Sequence, residues 1–154
     1  MASSTARNIE VIARAVLLHD GRVLLCRNVS GGYHYLPGGH VEFGEAAAAA
    51  LAREFVEEAN LHVRVGSCAL VNENRFEAGG RSHHEINLVF HVEQHPHDPE
   101  SLDRVQSREA GIAFDWIDLA AVVDLDIRPE SARAWLLNAD RAVARGGPEW
   151  VSEA

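Results

Sequence analysis

The stretch from Gly39 to Leu61, GHVEFGEAAAAALAREFVEEANL, decides how the rest of the chain is read. From Glu45 to Ala59 it carries five consecutive alanines, two large core candidates in Leu51 and Phe55, and no Gly or Pro, which predicts a helix stopped by Asn60. At about 100° per residue, Glu57 falls near −60° and Glu58 near +40° from Glu54, so three carboxylates share one arc beside an apolar face. They lie in the last turns, where the helix dipole prefers cations. Arg53, four residues before Glu57, neutralises part of that charge, and a hard divalent cation with oxygen ligands would neutralise the rest. A solvated acidic face is the plainer reading of such a cluster taken alone, and the residues in front of the helix shift the balance.

Upstream, EVIARAVLLH (Glu10 to His19), Asp20-Gly21 and RVLLCR from Arg22 predict a hairpin. Asn28 to Gly32 reads as a loop, Tyr33 to Leu36 as a short extended piece and Pro37-Gly38-Gly39 as a turn. Downstream, Leu61 to Val65 and Ala69 to Phe76 form one long or two short strands, and Glu77 to Arg81 is a turn. The return strand runs from about Ser82 to Glu93, with an unusually polar second face at Glu85, Asn87 and His91. Gln94 to Arg108 is a loop with a short helical turn near Leu102, and Ile112 to Ile117 is a last strand. After Pro129, Ala132, Trp135, Leu136, Ala139 and Val143 recur at helical spacing. The tail past Gly146 reads as loose. Mixed β-structure with two helices points to an α/β or α+β sandwich.

A chain of 154 residues supports one core. We expect a flexible tail over 1–9, one domain over 10–145 and a C-terminal tail over 146–154. Fourteen basic residues, all Arg, against 23 acidic ones give a formal charge of −9, which disfavours non-specific nucleic-acid binding. No apolar run suits a membrane helix and the first residues lack the apolar region of a secretory signal, so a cytoplasmic location is the simplest expectation. Cys26 and Cys68, without metal-ligand spacing, read as core thiols. His83, His84, His91, His95 and His97 form no zinc-binding pattern and read as solvated.

The string from Gly39 matches Gly-x5-Glu-x7-Arg-Glu-U-x-Glu-Glu-x-Gly-U, with U bulky and apolar, at Gly39, Glu45, Arg53, Glu54, Phe55, Glu57, Glu58 and Leu61. It resembles the Nudix hydrolase family, and Tyr35-Leu36-Pro37-Gly38-Gly39 resembles that family's lead-in to the motif. The one departure is Asn60 in place of glycine, the least damaging substitute where a helix closes in the left-handed region. The resemblance covers roughly residues 10 to 145. It implies an α/β/α sandwich with a mixed sheet between helices, and magnesium- or manganese-dependent hydrolysis of a nucleoside diphosphate linked to another moiety. A non-catalytic nucleotide-binding module of the same fold is the alternative.

What the resemblance implies about individual residues follows the motif. Glu54, Glu57 and Glu58, with the carbonyl of Gly39, would ligate the metal, and Arg53 would orient the glutamates. Glu45 anchors the loop or pairs with Arg53. Ala47 and Ala50 either leave room for a diphosphate or serve helix propensity alone. Arg27, at the end of the second strand, either grips a substrate phosphate or is an ordinary surface arginine. The general base is a helix glutamate or a later one, for which Glu109 is the candidate. Glu85 and Asn87 could line a substrate pocket. The motif reads a diphosphate and leaves open whether the substrate is a nucleoside triphosphate, a nucleotide sugar, a dinucleoside polyphosphate or capped RNA. Dimers are frequent in similar proteins, and the long hairpin could supply a homodimer interface.

Overall fold

The computed structural model describes residues 7–138 and the backbone of 149–152. Strands β1 (Glu10–His19) and β2 (Arg22–Asn28) form the expected hairpin, with Asp20 at φ 50° and Gly21 at φ 74°, the positive pair that a tight two-residue turn requires. Strand β3 (His34–Tyr35) lies on β2. Of Pro37-Gly38-Gly39, expected as a turn, the two glycines instead open β4 (Gly38–His40), which pairs antiparallel with Ile12, Ala13 and Arg14 of β1. The missing side chain explains it: Gly38 has φ 145°, and a Cβ there would collide with the Ala13 carbonyl.

Helix α1 (Ala47–Ala59) starts two residues later than expected, because the Glu45 carboxylate is used to accept a hydrogen bond from the Glu42 amide (3.2 Å) and close the preceding loop. It ends as expected, with Asn60 left-handed at φ 51° and the amides of Asn60 and Leu61 returning to Val56 and Phe55. Its apolar face buries Ala50, Leu51, Phe55 and Ala59, each large side chain contributing roughly 1.5–3 kcal/mol. Ala50 therefore faces the core.

Strands β5 (Val63–Ala78) and β6 (Arg81–Gln94) make a long hairpin turned at Gly79 and Gly80, with irregular register between Val65 and Leu70. Strand β6 runs parallel to β1, and β7 (Ile112–Asp118) pairs with β2. Short helical turns occupy Leu102–Arg104 and Leu119–Asp124. Helix α2 covers Glu130–Leu136, while Ala139 and Val143 of the expected helix lie outside the described residues. The tail read as loose contains β8 (Glu149–Ser152), parallel to β5; four residues carry too little pattern to announce a strand whose partner is far away in sequence.

The main path across the sheet is β3-β2-β1-β6-β5-β8. Alternation along the strands builds a core on each face. Ala13, Ala15, Leu17 and Leu24 pack with Leu51 and Phe55 of α1, whereas Val16, Val23, Leu25, Leu70 and Val89 pack with Ala132, Trp135 and Leu136 of α2. This is the expected α/β sandwich. No helix among the described residues is long and apolar enough to cross a membrane. Both cysteines are free: Cys26 is buried, which pushes its thiol up to about 12, and Cys68 is half-buried.

Candidate active site

Arg53 organises the site. Its Nε and Nη2 donate to the two oxygens of Glu45 (2.8 and 3.0 Å), its Nη1 to Glu54 (2.9 Å) and Glu57 (3.2 Å), and its Nη2 also to the His40 carbonyl (3.2 Å). One planar fork thus ties the loop, β4 and the middle of α1 into one unit. Glu45 both anchors the loop and pairs with Arg53. A Lys at 53 has a single charged centre that cannot reach these partners at once, so Arg53→Lys is expected to lower kcat by roughly ten- to a hundredfold with KM much less affected. Steady-state kinetics of that variant check this.

Gly39 lies directly against Glu54, where a Cβ would stand within 2.7 Å of both carboxylate oxygens. Glu58 points to the other side of the arc. Burial first, then the charges of Glu109, Glu54 and Glu57, push its carboxyl up to about 7, against the lowering effect of Arg14. The loop carrying Glu109 is fastened to the helix end by the Arg108 amide, which donates to the Glu58 carbonyl (2.7 Å). The structure therefore brings Gly39, Arg53, Glu54, Glu57, Glu58 and Glu109 to one end of α1.

Among the described residues no three His, Cys, Asp or Glu side chains are placed to hold a metal ion as they stand, because Glu54 and Glu57 are turned onto Arg53. The donor set nevertheless suits a hard divalent cation. It is all oxygen, it has more negative charge than Arg53 neutralises, and the bare backbone of Gly39 leaves the approach to Glu54 open.

A cleft of about 450 Å³, which shares no lining residue with the carboxylate array, is lined by Arg14, Tyr33, Tyr35, Phe76, Arg128 and the polar residues of β5 and β6. Glu85 and Asn87 line it. Asn87 accepts from Arg14 Nε (3.2 Å) and donates to Glu85 (3.2 Å), and Arg14 also donates to the Leu36 carbonyl (3.2 Å). Arg14 connects the two halves of the site, since it lines the cleft while its charge reaches Glu58. Sequence reading missed Arg14, although a lone charge in the middle of EVIARAVLLH is a signal. Tyr33, stacked under the Arg128 guanidinium at 4.3 Å, and Phe76, stacked on His83 at 4.9 Å, had none.

Arg27 pairs with a carboxylate outside the motif. Its Nε is bound to Asp115 of β7 (2.6 Å), which His34 also contacts (3.0 Å). Burial opposes the Asp115 charge, but the hydrogen bonds from Arg27 and His34 outweigh it and hold the carboxyl below the usual carboxylate range. A lowered folded value means that stability is present above the ordinary pKa near 4 and is lost as pH falls through the folded value. Chemical denaturation should therefore find Asp115→Asn less stable than the parent at pH 6, with the gap narrowing toward pH 3.

The NUDIX domain profile matches residues 9–137. Among solved structures, the chain is similar to a MutT protein from Methanosarcina mazei Go1 (22% identity, TM-score 0.68, 92% of this chain and 100% of the other). It is similar also to a MutT protein from Bacillus halodurans (17%, 0.69, 94% and 88%). An ADP-ribose pyrophosphatase from Streptococcus suis 89-1591 is a third (17%, 0.63, 95% and 100%). At these identities the likeness is one of fold.

Proposed function

The chain belongs to the NUDIX family and is a Nudix hydrolase, and from that premise we propose that it hydrolyses the pyrophosphate bond of a nucleoside diphosphate linked to another moiety, with magnesium or manganese. The observation that carries this reading is the carboxylate array held by Arg53 against Gly39, linked through Arg14 to a cleft large enough for a nucleoside.

Glu54, Glu57 and Glu58, with the Gly39 carbonyl, would hold the cation, which when bound supplies charge neutralisation for the diphosphate oxygens and a more acidic water. Arg53 fixes the directions of Glu54 and Glu57, so the negative array is preorganised before substrate arrives. One carboxylate of the Glu58–Glu109 pair takes the proton of the attacking water. Burial first, and then the charge of Glu109, raises the affinity of the Glu58 carboxyl for a proton. Glu85 and Asn87, through Arg14, position the nucleoside end in the cleft. The likeness to an ADP-ribose pyrophosphatase is compatible with a nucleotide sugar as substrate.

The test is phosphate and pyrophosphate release from nucleoside triphosphates, ADP-ribose, nucleotide sugars and diadenosine polyphosphates, with each metal in turn. Turnover of one class is expected. Nucleotide binding without turnover on any substrate would favour the binding-module alternative.

A further inference from the structure

A small recess adjoining the cleft holds an acceptor without a hydrogen-bond partner among the described residues. Asn72 of β5 is 1% exposed, and its Nδ2 donates to Ser131 at the start of α2, while Oδ1 has no hydrogen-bond partner among the described residues. An unpaired buried amide oxygen is expensive unless something else donates to it. Asn72 borders a recess of about 10 Å³, room for roughly one water or one amino group, which opens from the main cleft between Arg14, Asn87, Arg128 and Pro129.

Glu85 of the cleft has the same sense. The two arginines of the cleft spend part of their donors inside the protein, Arg14 on Asn87 and the Leu36 carbonyl, and Arg128 on both oxygens of Asp126 (3.1 and 2.8 Å). Glu85 receives Asn87 on one oxygen only, so its other oxygen is a second open acceptor. Strand pairing puts these groups together: Asn72 is opposite Asn87, and Glu85 is two residues along the same face. With Tyr33, Tyr35 and Phe76 around it, the cleft suits a flat ring whose edge donates hydrogen bonds.

We infer that the cleft selects nucleotides whose base carries an exocyclic amino group, with Asn72 Oδ1 in the recess accepting from that group and Glu85 accepting beside it. This rests on the nucleotide-hydrolase reading above and narrows its substrate class. An analogue lacking the donor leaves a buried acceptor unpaired, which a site built for a hydrogen bond rejects strongly.

The experiment compares nucleotides that differ at one amino group: GTP with ITP, ATP with purine riboside triphosphate, and CTP with UTP. Each pair is measured by calorimetric binding to the wild-type chain and by kcat/KM with magnesium. In at least one pair the amino-bearing member is expected to bind at least tenfold tighter, with the same sense in kcat/KM. Asn72→Leu should bring that ratio to within about twofold of unity, whereas Asn72→Asp, which keeps an acceptor in the recess and the side-chain size, should retain it. Circular dichroism and a melting curve identify a variant that does not fold, in which case the Asp variant and Glu85→Gln, which is expected to weaken the preference, decide. Equal affinity in all pairs, preference for the amino-free member, or no binding of any of the six overturns the inference. Because binding is measured apart from turnover, selective binding without hydrolysis sustains it while sinking the hydrolase reading. Hydrolysis without selectivity does the reverse.

Discussion

Glu57→Gln is expected to lower kcat by roughly a hundred- to a thousandfold, the loss that follows removal of one preorganised charged group from an active site. The melting temperature should stay within about 2 °C of the parent. The side chain is 57% exposed and its ion pair is a 3.2 Å contact with Arg53, so it contributes little to stability. On the proposed reading its charge matters for another reason: it would complete the oxygen set that holds the cation. The amide keeps the shape and removes the charge, so packing cannot explain a loss. Steady-state kinetics beside a melting curve separate the two effects, and near-parental turnover would remove Glu57 from the site.

Gly38→Ala is expected to destabilise the fold by about 3 kcal/mol or more, a size reserved for overpacking or forced backbone strain. At a φ of 145° an L side chain is strained whatever the space, and here the new methyl meets the Ala13 carbonyl, which is backbone and cannot rotate away. Strand β4 would have to part from β1. For a chain of this size the melting temperature should fall by roughly 6–12 °C. Gly39→Ala provides the contrast. Its Cβ meets the end of the Glu54 side chain instead, so activity should be lost with much less stability. A Gly38→Ala chain as stable as the parent would show that β4 is not held against β1 in solution.

Local signals in the sequence were sufficient where the physics is local. The Asp20-Gly21 turn, the alanine-rich helix and its closure at Asn60 each depend on a few consecutive residues. The carboxylate arc and Arg53 beside it follow from helical geometry once the helix is recognised, and the motif resemblance added Gly39. Pairings between distant residues were hidden. Gly38 reads as a turn until β1 is known to lie against it, and β8 has only four residues to advertise itself. Arg14 and Asn87 are 73 positions apart, and Arg27 and Asp115 are 88 apart, so neither the polar seam of the cleft nor the pairing of Arg27 with Asp115 could be read from spacing. Asn72 looks like an ordinary strand residue, and only the three-dimensional packing shows its oxygen unpaired.

The most direct measurement is phosphorus NMR of the preferred substrate incubated with the chain, first with EDTA and then with excess magnesium. Cleavage between the two phosphorus atoms of the diphosphate, absent under EDTA, restored by magnesium and lost in Glu57→Gln, is the expected result. Cleavage that persists without metal, or an intact diphosphate in the presence of metal across the whole substrate panel, would contradict it.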